Sequence, residues 1–252
     1  MLAVPQLLIP VIIGLVLGLI GGGGSVLTVP YLIYIVGQDT KEAFATSLFA
    51  VGVAALVGAL YHASKSNLVL LKSVFFGFSG MLASYLSARF LVPFLSDELQ
   101  IKIFAILVLL IAILMLFKKQ NSMNNVVDSY SNNLVFNFVG VFFSGIFVGT
   151  ITGIVGVGGG FLIVPALHYF LKMPINKAIG SSLLIIAMQA FSGFLAYQKE
   201  IPLNISFIFY FSSLVTLGSL LGSFASSRIK TTILQKIFAV TLLIIGLFML
   251  LS

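Results

Sequence analysis

The chain has 252 residues, of which 60% are hydrophobic and 8% charged, with a mean hydropathy of +1.21. A soluble domain carries about 25% charged residues, so this chain cannot cover a water-facing surface; its recurring apolar runs of about 20 residues are the length a bilayer-spanning helix needs. The 13 Lys+Arg against 6 Asp+Glu are scattered through short loops, which reads as topology information rather than a nucleic-acid patch, and with no cysteine disulfides, thiol catalysis and cysteine metal sites are excluded.

In chain order, an apolar segment over 2–36 meets a glycine cluster, and long spans follow at 43–61, 69–92 and 100–117. No Lys or Arg precedes Lys41, so a cleaved signal peptide is not expected and residues 6–20 should stay in the mature protein. The polar stretch Lys118–Asn133 reads as a linker. Then a second glycine-bearing segment covers 134–171, followed by spans at 178–197, 203–227 and 232–251. Each first segment is not an ordinary span. Glycines, which cost about 1 kcal/mol each in a helix, sit at its middle, and Pro30 or Pro165 follows. The expected form is two helical pieces joined by unwound backbone, re-entrant or discontinuous.

The two segments are copies. A shift of 135 lays Gly18–Leu48 on Gly153–Leu183 without a gap, with 12 of 31 positions identical. Leu82–Arg89 matches Leu221–Arg228, and Lys102–Ala105 matches Lys236–Ala239, in the same order. The expected fold is therefore all-α and polytopic, with two tandem membrane repeats over 1–117 and 134–252 joined by the linker 118–133. Each repeat has one glycine-broken helix and three transmembrane helices.

Loop charges bear on orientation. Four crossings per repeat would make the halves parallel and split the cations eight to five. If the first segment re-enters instead, the halves are inverted. Lys65, Lys72, Lys118, Lys119, Lys172, Lys177, Arg228, Lys230 and Lys236 then share one side, against Lys41, Arg89, Lys102 and Lys199. That split suits the positive-inside rule better, and inverted repeats are common among transporters. Both arrangements put the two termini outside an inner (cytoplasmic) membrane.

Non-helical backbone survives in a bilayer only where it is buried in protein or lines a cavity. Placed at matching points of two repeats, such breaks point to a substrate site. Gly21, Gly22, Gly23 and Gly24 with Ser25, and Gly156, Gly158, Gly159 and Gly160, precede short helical pieces whose N–H groups favour an anion. Ser47 and Ser182, repeat-matched and early in the next helix, could complete the site; Thr46 and Ser181 match in type. Arg89 and Arg228 end equivalent spans, as interfacial anchors or as cations that draw anions in. The four-residue spacing of Gly14, Gly18 and Gly22, and of Gly145, Gly149 and Gly153, equally suits close helix packing. Gln189 reads as an interhelical bond. All six acids lie in or beside loops, which disfavours a metal cage or a carboxylate proton relay. His62 and His168 are the only histidines, His168 being the group to titrate if transport is proton-coupled at all. No catalytic residues, cofactor or metal are expected.

The doubled pattern Gly18…Gly21, Gly23-Gly24…Pro30 and Gly153…Gly156, Gly158-Gly159…Pro165 resembles the TauE/SafE (sulfite exporter, TSUP) family of membrane transporters, over almost the whole chain. The resemblance implies transport of a small sulfur-containing anion such as sulfite or an organosulfonate. The chain departs from strict repetition in carrying Ser25 opposite Gly160 and Gly22 opposite Val157. The alternatives are a cation carrier, with Na⁺ held by helix carbonyls, and a non-transporting membrane assembly subunit. The partners implied are the small anion and the lipid bilayer, without nucleic acid and with a homodimer as the assembly to test.

Overall fold

The computed structural model of the protein describes residues 4–117, 134–156, 160, 163–164, 167, 173–198, 203–226 and 231–251. The linker 118–133 lies outside them, as do Gly158, Gly159, Pro165, His168 and Arg228. Among the described residues nine α-helices follow one another: α1 Val4–Ile20, α2 Ser25–Pro30, α3 Thr40–Ser64, α4 Leu70–Phe90, α5 Asp97–Phe117, α6 Leu134–Val155, α7 Ile175–Tyr197, α8 Ile205–Ala225 and α9 Thr231–Leu251. Four stretches among the described residues are long and apolar enough to cross a membrane: Thr40–Ser64, Leu70–Phe94, Asn176–Tyr197 and Ile205–Ala225.

Local chemistry sets the boundaries. Gly21 takes a left-handed φ of +79°, open to glycine without steric cost. Its N–H makes the last bond of α1, to the Leu17 carbonyl at 2.8 Å. α2 ends at Pro30, which has no N–H to give. The chain continues as a widened π turn over Tyr31–Val36, and the Gln38 N–H closes it on the Leu32 carbonyl at 3.0 Å. At the start of α5 the Ser96 hydroxyl accepts from the Leu99 N–H at 3.3 Å. Asp97 and Glu98 fill the first turn, where the helix dipole favours negative charge.

α3 and α7 form the centre: 72% of the spanning stretch of each is buried, against 44% for α4 and 39% for α8. They run antiparallel. Phe44, early in α3, meets Tyr197, late in α7, with ring centroids 6.5 Å apart; at the other end a methyl on Gly180 would come 2.8 Å from the His62 Cβ. Around this pair the halves interlock. α1 lies along α8 in the same direction, Gly14 against Val215 and Ser219, Gly18 against Ser219 and Ser223. α6 lies along α4 likewise, Gly145 against Phe76 and Ser79, Gly149 against Gly80, Gly153 against Ser84 and Ser87. So each glycine-rich first helix packs on a helix from the opposite half of the chain. α5 packs on α9, with Gly246 against Leu109.

The outward faces are apolar. Leu70, Leu71, Phe78, Phe143, Phe147 and Phe209 are all exposed, as suits side chains that meet lipid rather than water. The chain is a multi-pass membrane protein.

Candidate functional site: two glycine turns

Between α1 and α2 the chain turns through Gly21–Gly24, and all four glycines are buried. Three tight bonds close the far side: the N–H groups of Ser25, Val26 and Leu27 donate to the carbonyls of Gly22, Gly23 and Gly24 at 3.3, 3.3 and 3.1 Å. The N–H groups of Gly22, Gly23 and Gly24 themselves meet no acceptor among the described residues. Successive N–H groups of this kind form an anion-seeking concavity. The Ser25 hydroxyl donates back to the Gly22 carbonyl at 2.7 Å, so its hydrogen is already committed.

The second turn begins in the same way. Gly156 has a φ of +64° and donates its N–H to the Thr152 carbonyl at 2.9 Å. Of the rest of this cluster, Gly160 is described and buried. The two turns touch through backbone. A methyl on Gly160 would stand 2.5 Å from the Gly22 Cα, and one on Gly22 would fall on the Gly160 carbonyl. Neither position has room for a side chain.

Each turn rests on a helix from the other half. Gly21 lies on Ile179 of α7 and Gly156 on Phe44 of α3. Three residues on, one turn of helix away on the same face, come Ser182 and Ser47. The Ser182 hydroxyl reaches the Gly21 carbonyl at 2.6 Å and the Ile179 carbonyl at 2.7 Å. Ser47 and its neighbour Thr46 are 0% exposed, and among the described residues both hydroxyls are without a partner. Ser181, the counterpart of Thr46, accepts from the Val69 N–H at 3.0 Å and ties the α3–α4 loop to α7. Arg89 is half-buried in the last turn of α4, two residues beyond Ser87, which faces Gly153.

Other groups emerge only in three dimensions. Gln100, 0% exposed on α5, donates to the Ile154 carbonyl at 2.5 Å and to the Tyr197 hydroxyl at 2.7 Å. Tyr197 reaches the Gly153 carbonyl at 3.3 Å. Together they satisfy carbonyls at the end of α6, where a helix has none of its own donors left, just before Gly156. Their residue types in apolar runs are the only trace in the sequence. Gln189 joins α7 to α6 through Thr152 at 3.1 Å and accepts the Ser84 hydroxyl on its backbone carbonyl at 3.2 Å. His62 is buried with both ring nitrogens unpartnered.

The electrostatics of the turns thus come, among the described residues, from dipoles and hydroxyls, with no carboxylate among the contacts of Gly21–Gly24, Gly156 and Gly160. Among the described residues no group of three His, Asp or Glu side chains could hold a metal ion. A recess of about 360 Å³ lined by Phe49, Phe194, Gln198, Leu203, Ile208 and Phe209 includes none of the turn residues. What the first turn offers among the described residues is a set of donors without a competing negative charge, which suits a small acceptor-rich ligand.

The profile of the sulfite exporter TauE/SafE family matches residues 7–249. A probable membrane transporter protein of Xylella fastidiosa (strain Temecula1) is 29% identical over 240 residues, covering 94% of this chain and 90% of its own. One from Methanocaldococcus jannaschii is 27% identical over 265 residues, covering 97% and 96%. One from Bacillus subtilis is 24% identical over 238 residues, covering 92% and 91%. No solved structure matches the chain.

Proposed function

The chain belongs to the sulfite exporter TauE/SafE family, and from that premise we propose that it carries a small anion, a sulfur oxyanion or organosulfonate such as sulfite, across the cytoplasmic membrane, holding it at the two glycine turns. It is a membrane transporter and not an enzyme. The observation that carries the reading is the buried run of N–H groups at Gly22, Gly23 and Gly24 without acceptors among the described residues, with the hydroxyls of Thr46 and Ser47, likewise unpartnered there, on the helix that follows. In a bilayer such groups must be satisfied by protein, water or ligand. A dehydrated oxyanion supplies acceptors for all of them, and the lack of nearby acids removes the repulsion it would meet. The site takes in Gly21–Gly24, Ser25 and Ser47 from the first repeat and Gly156, Gly158, Gly159, Gly160 and Ser182 from the second. Arg89 and Arg228 act as flanking cations that raise the local anion concentration.

The same reading takes 1–117 and 134–252 as inverted repeats. Support comes from helix directions. A methyl on Gly24 would come 2.6 Å from the Leu17 backbone nitrogen, so the chain doubles back on α1 after its turn and re-enters on its own side. α3 and α7, the first full crossings of each half, run antiparallel as inversion requires. Lys65, Lys72 and Lys177 then fall on the side where α3 ends and α7 begins, which makes that side cytoplasmic and leaves both termini outside.

The test is a thermal-shift panel on purified protein with sulfite, sulfate, thiosulfate, taurine, sulfoacetate, chloride and Na⁺, run beside Gly24→Val and Gly159→Val. The expected result is stabilisation by one sulfur oxyanion, lost in both variants. Stabilisation by Na⁺ alone, or anion binding indifferent to both substitutions, would leave the glycines as packing residues and overturn the proposal.

A further inference from the structure

The two turns begin alike at Gly21 and Gly156, and the serines beside them differ in their hydrogen bonds. Gly21 and Gly156 both have left-handed φ, both donate to the carbonyl four residues back, and both rest on the opposite half, at Ile179 and Phe44. The serine one turn beyond that contact donates to the glycine carbonyl in one case, Ser182 to Gly21 at 2.6 Å. In the other case the Ser47 hydroxyl is buried without a hydrogen-bond partner among the described residues.

We propose that Ser182 and Ser47 are positioning residues that form a two-position latch: each holds the glycine turn of the opposite repeat, one bond is made at a time, and transport exchanges them. This rests on the reading of the turns as the transport site. In the state described here Ser182 is latched to Gly21 and Ser47 is released. The exchanged state has Ser47 donating to the Gly156 carbonyl and Ser182 let go. Ser182 can be let go readily, because its hydrogen has a second acceptor in place, the Ile179 carbonyl at 2.7 Å within its own helix. Ser47 gains on latching, because a buried hydroxyl without a partner is unfavourable. A latched serine has spent its one hydrogen on a carbonyl, so the released one is the donor left for an anion. Exchange therefore passes the donor from one turn to the other. Inverted repeats supply the energetic balance such an exchange needs, since each state places the same contacts in opposite halves.

Hydrogen–deuterium exchange on the detergent-solubilised protein, with no substrate added, tests the latch through the amides of Gly21 and Gly156. In Ser182→Ala exchange at Gly21 should rise about fivefold, as loss of one hydrogen bond implies, while exchange at Gly156 slows as Ser47 latches. In Ser47→Ala exchange at Gly21 should slow, because the competing state is lost. Ser182→Thr and Ser47→Thr keep the hydroxyl and should leave both turns as in wild type. Efflux of radiolabelled sulfite from proteoliposomes should fall in both alanine variants and recover in both threonine variants. Effects confined to the turn each serine touches, or no effect at either, would overturn the latch and leave static caps. If an alanine variant does not purify, Ser→Cys at the same position, a weaker donor of similar shape, carries the same reciprocal test. The exchange readout contains no anion, so a failed sulfite shift and a failed reciprocity are separate results.

Discussion

Two helix crossings in this molecule are built on glycine and differ in what surrounds the glycine. Where α1 meets α8, glycines face backbone from both sides: Gly14 and Gly18 against α8, and Gly218 and Gly222 against Val11, Leu15 and Leu19 of α1. Where α6 meets α4, Gly149 lies on Gly80, and the Gln189 amide presses on Gly80 from α7. The Ser84 bond to the Gln189 carbonyl at 3.2 Å has a counterpart at the first crossing, Ser219 to the Ala54 carbonyl at 2.9 Å; the second crossing adds the Thr152–Gln189 side-chain bond. At the positions 135 residues earlier the first has Leu17 and Ala54. Closeness of approach is thus set by the missing side chains, and polar content is added or withheld separately. In a bilayer, where apolar burial between helices gains little, close backbone packing does most to hold crossings together and polar bonds add modestly.

The largest expected effect comes from refilling a crossing. Gly14→Leu and Gly149→Leu should each cost about 3 kcal/mol or more, since the added carbons would enter backbone and must drive two helices apart. Thermal melting in detergent with size-exclusion profiles would measure this. If one variant melted like wild type, the two crossings would not share a packing principle.

A smaller effect separates conformation from contact. Gly22 and Gly37 both have positive φ. Gly37 has nothing within 4 Å of an added methyl, whereas one on Gly22 falls on Gly160. Gly37→Ala should cost about 1 kcal/mol from backbone strain alone, and Gly22→Ala a further ~1–3 kcal/mol from overpacking. Equal melting temperatures for the two would mean that the turns do not touch.

The smallest effect belongs to the polar addition. Gln189→Leu should cost about 0.6 kcal/mol, the average for an interhelical hydrogen bond in a membrane. A loss as large as that of Gly149→Leu would make Gln189, rather than glycine, the organiser of the second crossing.

The sequence alone determines the membrane class, because 60% hydrophobic residues leave no other solvent for the surface. Span positions were legible too: α7 at Ile175–Tyr197 and α8 at Ile205–Ala225 lie within a few residues of the apolar runs at 178–197 and 203–227. Hydropathy and helix-breaking act locally, so Gly21 could be picked out as a turn and Pro30 as an end without a neighbour in view. Partnership could not. Ser182 finds the Gly21 carbonyl across 161 residues, while Ser47, with the same residue type and register, has no hydrogen-bond partner among the described residues. Gln100 and Tyr197 meet over the end of α6 from helices 97 positions apart. Such bonds depend on how each helix is rotated and how closely its neighbours approach. Only the packed tertiary structure decides that, and it can make two repeat-matched serines unequal.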